Sequence, residues 1–549
     1  MARSRTARRV SDTLVCRLAL GTFILSACVH LKPGGDVADA GTDAGAVAAC
    51  VSMGVVRPLV REPVHDVDLL LMVDNSGSMS EEQASLATEL PRLVRVLSTG
   101  DRTGDGVTSD DFPAVVSLHV GVVTTDMGVA NFVVPTCTRS PQFGDDGLLR
   151  TAGNAAIAGC IAVYPKFLEY QPGISVQTIE QFGADFSCVA AMGTGGCGFE
   201  QPLESTLKAV TPSTSATTFF GGTHGHGDVE NAGFLRPDSV IAVVLVTDEE
   251  DCSVAMGNEE IFNQSFSSPY PGDLNLRCFL YPETQWPVQR YIDGFKALRP
   301  DRESLVVFGA ITGVPLDLIP STGSPNYSGI LADPRMVEAV DTSPGTTGAR
   351  LVPSCDVPGR GIAFPPRRIV EVAKGFGESG TVQSICQESF ASAVDAVVSN
   401  VANALGGCLP RALYPDAARL VGCRVVETIP PPGTFVGQPT SCAGLVGVAS
   451  TPLRTNADGS LDCEVTHLVA TGVAPTGDGW YYDDFSPENM AACGTGGRRV
   501  TFSPSVIPVD GITAQLECQM TCTTNDDCPA TTVCDGGGCI APTCVDVTP

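Results

Sequence analysis

Four near-continuous apolar runs punctuate the chain up to residue 311: 66–73 (DVDLLLMV), 118–125 (LHVGVVTT), 240–247 (VIAVVLVT) and 304–311 (SLVVFGAI). A strand with one face in water alternates polar and apolar residues, whereas a strand covered on both faces has no polar face to show. Runs of this kind predict strands of a parallel sheet layered on both sides. Helix-like stretches lie between and after them, at 81–97, 200–210, 285–298 and 386–404. Strands alternating with helices predict a doubly wound, mostly parallel α/β fold. In such sheets ligands bind beyond the carboxyl ends of the strands.

Two of those ends are rich in oxygen. The first run leads into Asp74-Asn75-Ser76-Gly77-Ser78-Met79, and the third into Asp248-Glu249-Glu250-Asp251. The DxSxS turn offers one carboxylate and two hydroxyls, hard donors suited to Mg²⁺, Mn²⁺ or Ca²⁺ rather than to zinc. With few charged ligands, such an ion stays electron-poor and seeks an anionic oxygen from outside.

The DxSGSM string after a buried strand, with an aspartate after a later one, resembles the metal-ion-dependent adhesion site of von Willebrand A domains. The resemblance covers roughly residues 60–405. It implies a Rossmann-like fold, with Ser76 and Ser78 as direct ligands and Asp74 and Asp248 acting largely through water. It also implies a divalent cation, Mg²⁺ first and Ca²⁺ or Mn²⁺ next. A protein partner would complete the ion's shell with an acidic side chain. The family places a threonine on an intermediate loop just before a helix. Here that loop spans Met192 to Leu203, and Thr194 is the expected ligand although it sits early. Cys197 has better spacing but is expected in a disulfide, and Glu200 is the alternative oxygen donor.

The amino terminus reads as an export signal. Residues 1–27 hold five arginines, a short apolar stretch from Leu18 to Leu25, and the sequence Leu25-Ser26-Ala27 before Cys28. That stretch is too short to span a bilayer. The segment resembles the lipobox of bacterial lipoproteins, which implies cleavage before Cys28 and lipidation of its thiol. Val29 rather than an aspartate follows, which by resemblance to the sorting pattern of such lipoproteins implies the outer membrane. Residues 28–49 read as a flexible acidic tether, and the lipid would be the membrane's only hold. The formal charge of −28 argues against nucleic acid as a partner.

Twenty-two cysteines point to an oxidising compartment. With Cys16 and Cys28 set aside, ten lie from Cys50 to Cys408 and ten from Cys423 to Cys544, so each half can pair within itself. The expected domains are an α/β domain at 50–408, a small β-rich disulfide domain at 409–515 and a Cys-rich module at 516–549. Expected disulfides are Cys137–Cys160, Cys188–Cys197, Cys252–Cys278, Cys355–Cys386 and Cys50–Cys408, with three more among the six cysteines from Cys518 to Cys544. Residues 127–192 and 251–284 read as insertions beside the metal rim.

Asp101 and Asp105 begin a segment like a degenerate calcium loop, but the final glutamate is missing, with Phe112 in that place, so it reads first as an acidic turn without metal and second as a metal loop. The run His224-Gly225-His226-Gly227-Asp228 is a weak transition-metal candidate. No HExxH helix, GxSxG elbow or P-loop is present, so no enzyme is expected. The functional expectation is a lipid-anchored cell-envelope protein that binds or adheres to a protein through a divalent cation. The alternative is a structural envelope protein whose metal only stabilises the fold.

Overall fold

The computed structural model describes residues 55–59, 64–107, 114–137, 142–300, 302–320, 325–343, 349–358, 360–409, 413, 420–493, 498–507, 509, 511–518, 533–535 and 538–540. Chain order is β1 (Val55–Leu59), β2 (Asp66–Val73), α1 (Ser80–Thr99), β3 (Ser117–Val123), β4 (Leu168–Tyr170), α2 (Ile179–Ala190) and α3 (Pro202–Val210). Next come β5 (Val240–Val246), α4 (Arg277–Leu280), α5 (Gln289–Lys296), β6 (Val306–Thr312) and α6 (Tyr327–Ala332). The hairpin β7 (Cys355–Val357) and β8 (Gly361–Ala363) leads to α7 (Arg367–Gly375), β9 (Gly380–Ser384) and α8 (Ala391–Gly406).

A six-stranded sheet runs β4-β3-β2-β5-β6-β9. Only β4 is antiparallel to its neighbour; the other pairs are parallel. The apolar runs are explained by the two cores they serve. Leu69, Leu71 and Val73 of β2 pack with Leu86, Leu90, Phe182, Phe186 and Val398 from α1, α2 and α8. Leu70 and Met72 point the other way, onto Leu203, Leu207, Phe295 and Ile369 of α3, α5 and α7. Each fully buried side chain of this size contributes roughly 1.5–3 kcal/mol. A polar residue at any of these positions would lose that and leave its own group unsolvated.

Two elements had no periodic signal. The segment 127–192, expected as an insertion, supplies β4 and α2 to the layer. β4 has three residues, too few to show a period. β9 reads GTVQS, and its Thr381 and Gln383 are buried although polar.

The rest of the chain is β-rich: β10 (Cys423–Ile429), β11 (Arg454–Thr455), β12 (Leu461–Val465), β13 (Trp480–Asp483), α9 (Pro487–Cys493), β14 (Arg499–Phe502), β15 (Thr513–Cys518), β16 (Val533–Asp535) and β17 (Gly538–Ile540). An antiparallel sheet runs β1-β15-β10-β12-β11. Its first strand comes from the other end of the chain, Val55 facing Cys518 and Leu59 facing Ala514. Pro58 is tolerated there because β1 is an edge. Leu59 packs on the core of Val425, Val465, Trp480 and Leu516.

Cys252–Cys278 and Cys355–Cys386 form as expected. The other expected pairings are corrected. Cys137 joins Cys197, and Cys160 joins Cys188. The chain near Asn154 runs along the end of α2, where the Asn154 amide donates to the Cys188 carbonyl at 3.0 Å, and this brings Cys160 to the helix. Cys408 joins Cys493, not Cys50. After the left-handed Gly407 (φ 61°), the chain steps straight to β14, with Cys408 bridged to Arg499. Cys423–Cys518 takes Cys518 out of the terminal module, and Cys442–Cys463 closes a smaller loop. Pairing within halves therefore fails, because Cys408–Cys493 crosses the expected boundary. Cys28 and Cys50 lie outside the described residues. Among the described residues no helix is long and apolar enough to cross a membrane.

Candidate metal centre

Chain connections leave β2 towards β3 on one side, whereas β5 and β6 lie on the other. The order reverses between β2 and β5, which is where sheets of this kind open a crevice. Asp74 ends β2 there and Asp248 follows β5. The Asp74 amide donates to the Val246 carbonyl at 2.9 Å, continuing the ladder past both strands. Asp74 Oδ1 accepts the Ser76 amide at 2.8 Å, which closes the turn, and Oδ2 accepts the Thr247 hydroxyl at 2.7 Å. Ser76 Oγ and Ser78 Oγ stand 3.0 Å apart. Ser78 Oγ donates to Asp248 Oδ1 at 3.2 Å. The two expected carboxylates and two expected hydroxyls are thus one hydrogen-bonded set. Asp74, Ser76 and Asp248 are buried, and Ser78 is the member open to solvent.

The neighbourhood is acidic throughout. Burial raises Asp74 above the usual carboxylate range, against the lowering bonds from Thr247 and Ser76. Asp248 rises well above it through burial and the charges of Asp74 and Glu249. Glu200 does so through burial and the charges of Glu249 and Asp74. Burial and Asp74 push Glu249 up to about 7. Burial, Glu81 and Asp74 push Glu82 up to about 7. The charges that raise these groups are those of neighbouring carboxylates. Glu250 and Asp251 differ, because Arg368 bonds Asp251 at 3.0 Å and donates its amide to Glu250 at 2.8 Å.

A divalent cation fits this donor set on an observation of its own. Asp248 Oδ2, Asn75 Oδ1 and Thr125 Oγ1 are buried and find no hydrogen-bond partner among the described residues. Buried polar atoms are rarely left so. Among the described residues, no three His, Cys, Asp or Glu side chains stand together as a metal site by themselves. The set here is mixed, with serine hydroxyls beside the carboxylates.

No family model matches the chain. No curated protein matches it either. Among solved structures, the pilus adhesin SpaC from Lactobacillus rhamnosus GG in its open conformation is similar at 8% identity and a TM-score of 0.25, over 85% of this chain and 40% of that one. The pilus adhesin RrgA from Streptococcus pneumoniae is similar at 10% identity and a TM-score of 0.21, over 85% of this chain and 58% of that one. The chain spans less than two thirds of either structure, and overlaps this low carry no argument about it.

The other expected residues fall in varied places. Thr194 is half-buried on a loop laid against the Asp74 turn: the Gly196 amide donates to the Asn75 carbonyl at 2.8 Å. A Cβ on Gly196 would lie 2.1 Å from Asn75 Cγ, so any larger residue there would displace the Asn75 side chain. Gln83 clamps the same loop, bonding Gly193 N and O at 3.0 Å each. No hydrogen bond ties the Thr194 side chain to the site. Glu200 is 4% exposed, hydrogen-bonds Glu249 and feels Asp74. Thr247, Thr125 and Gln83 have no site role in the sequence, and Glu249 enters only as part of the acidic string after the third apolar run. Thr125 and Thr247 close apolar runs, which is the signal that marks them as strand ends.

Asp101 and Asp105 follow the far end of α1, about 30 Å along a 20-residue helix. Asp101 accepts the Gly106 amide at 3.0 Å and that of Gly104, and Arg95 stands 3.8 Å away. These contacts outweigh desolvation and hold it below the usual carboxylate range. His226 bonds Glu230 at 2.7 Å and Asp146 at 3.1 Å, so both its ring nitrogens are taken. Asp228 accepts the Ser213 amide at 2.6 Å.

Proposed function

We propose that the α/β layer is a von Willebrand A domain and that its adhesion site holds a divalent cation through which the protein binds a protein partner on the cell envelope. The observation that carries this reading is the single hydrogen-bonded set of Asp74, Ser76, Ser78 and Asp248 at the sheet's switch point, with Asp248 Oδ2 unsatisfied. Ser76 and Ser78 would hold the ion directly, and Asp74 and Asp248 would orient its waters. The bound ion would supply a Lewis-acidic face for an oxygen of the partner, in the simplest case an acidic side chain. Ser78, exposed at the rim, marks the side from which a partner approaches. Lipidation at Cys28 and an outer-membrane location belong to the same proposal. The reading is of a binding protein, not an enzyme.

Pull-down of envelope proteins with the wild-type chain should lose its partner on chelation and in Asp74→Ala. Capture that ignores both changes rules the mechanism out. A structural role is favoured by one fact: Asp74 itself joins the β2 turn to Thr247 after β5. In that case a saturating cation raises the melting point, by about 2.7 kcal/mol of stability at a hundredfold excess over Kd, while no partner is gained.

A further inference from the structure

We propose that Gln83 is a positioning residue of the cation site: it locks the glycine loop 193–196 onto the DxSxS turn, and the turn keeps its full affinity for a cation only while that lock is closed. The proposal rests on the metal-site reading above. Gln83 lies in the first turn of α1, and its amide bonds the Met79 carbonyl at 3.0 Å. Side chains of a helix lean towards its amino-terminal end, so Gln83 reaches back over the turn that precedes α1. Its side-chain nitrogen donates to the Asp74 carbonyl at 2.8 Å and to the Gly193 carbonyl at 3.0 Å. Its oxygen accepts the Gly193 amide at 3.0 Å. Further along the loop, the Gly196 amide donates to the Asn75 carbonyl at 2.8 Å. Two successive carbonyls of the turn are therefore tied to one loop, at Gly193 through Gln83 and at Gly196 directly.

The chemistry of the side chain is what the lock needs. A primary amide carries two N–H donors and an acceptor oxygen. Here the nitrogen serves two carbonyls and the oxygen serves an N–H. Methionine has the same length and neither kind of strong group, and an ionised glutamate offers acceptors only. Gln83 is 6% exposed, and backbone groups left unpaired in a buried place are costly. Without the amide, the turn and the loop would shift to find other partners. Asp74 would shift with them, because one residue carries both ends of the arrangement. Its carbonyl is held by Gln83, while its carboxylate closes the turn on the Ser76 amide and reaches Thr247. Residues that hold metal ligands from behind typically change affinity by about ten- to hundredfold when replaced.

The test compares the chelator-stripped whole chain as wild type, Gln83→Met, Gln83→Glu and Asp74→Ala. Calorimetric titration with MgCl2 and with CaCl2 reads affinity, and hydrogen exchange at the Gly193 and Gly196 amides reads the lock. Both Gln83 variants should bind the cation about tenfold more weakly or worse, and in the metal-free state their Gly193 amide should exchange faster than in wild type. Gln83→Glu gives the sharper reading, since its added negative charge alone would tighten a cation. A merely structural role lowers the melting point and leaves the affinity of the folded protein as it was. Affinity within about threefold of wild type in a folded variant overturns the proposal, as does Gly193 exchange that ignores the substitution. Wild type alone supplies a check should the variants misfold. A saturating cation should slow exchange at Gly193 and Gly196, because ion and lock share one turn, and exchange there indifferent to a bound cation overturns the proposal. A folded wild type that binds neither ion, or binding indifferent to Asp74→Ala, overturns the metal-site reading itself.

Discussion

Pro91 lies in the middle of α1, where it has no N–H to offer the Ala87 carbonyl one turn back. The Ser187 hydroxyl of α2 donates to that carbonyl at 2.9 Å. Ser187→Ala should therefore cost about 1 kcal/mol in denaturant unfolding. In a Pro91→Ala background, where residue 91 regains its N–H, the cost should fall by half or more; an equal cost in both backgrounds refutes the pairing. His226 makes a second prediction. Burial lowers its affinity for a proton, but bonds to Asp146 and Glu230 outweigh burial and the nearby Lys208, so its pKa is raised above 6.5. The proton is bound more tightly in the folded state, so the stabilisation is full below pH 6.5 and is lost as pH climbs through the raised folded value. The melting difference between wild type and His226→Gln should be largest in mild acid and shrink in alkali. A gap that widens with pH would reverse the sign and sink the account.

Between elements, closeness is set by glycine and by disulfides. A Cβ on Gly183 of α2 would meet Pro91 Cα at 2.8 Å, so the two helices touch backbone to backbone. Gly183→Ala should cost about 1–3 kcal/mol by forcing them apart, read from the urea midpoint. Cys137–Cys197 links the segment after β3 to the loop that carries Thr194 and Glu200. Replacing both cysteines with alanine should weaken cation binding several-fold and lower the melting point, while the far-ultraviolet circular dichroism of the sheet stays the same. Unchanged affinity would show that the loop is held without the bond. These contacts were closed to sequence reading, since the six cysteines of this region permit many pairings and only the folded path decides among them. The strands were open to it, because burial on both faces writes itself into composition.

At the scale of the whole molecule, the chain closes on itself. β1 leaves the amino-terminal side and completes the sheet of β15 and β10, while Cys408–Cys493 fastens α8 to α9. Removing residues up to 60 would strip β15 of a neighbour and expose five residue pairings' worth of edge. Residues 420–518 should then be cut faster in limited proteolysis, with the six-stranded sheet still protected. Equal cutting rates would show that β1 adds no stability to its sheet.

Local physics settled what local patterns encode. Apolar runs announced the inner strands, and the DxSGSM turn announced where oxygen donors cluster, because each depends on residues adjacent in sequence. Which distant groups meet was left to the tertiary structure. The Gly196 amide meets the Asn75 carbonyl, β1 joins the far sheet, and four cysteines exchanged their expected partners. Such choices follow from how helices and strands pack in space, and the separation between two residues along the chain carries little information about that.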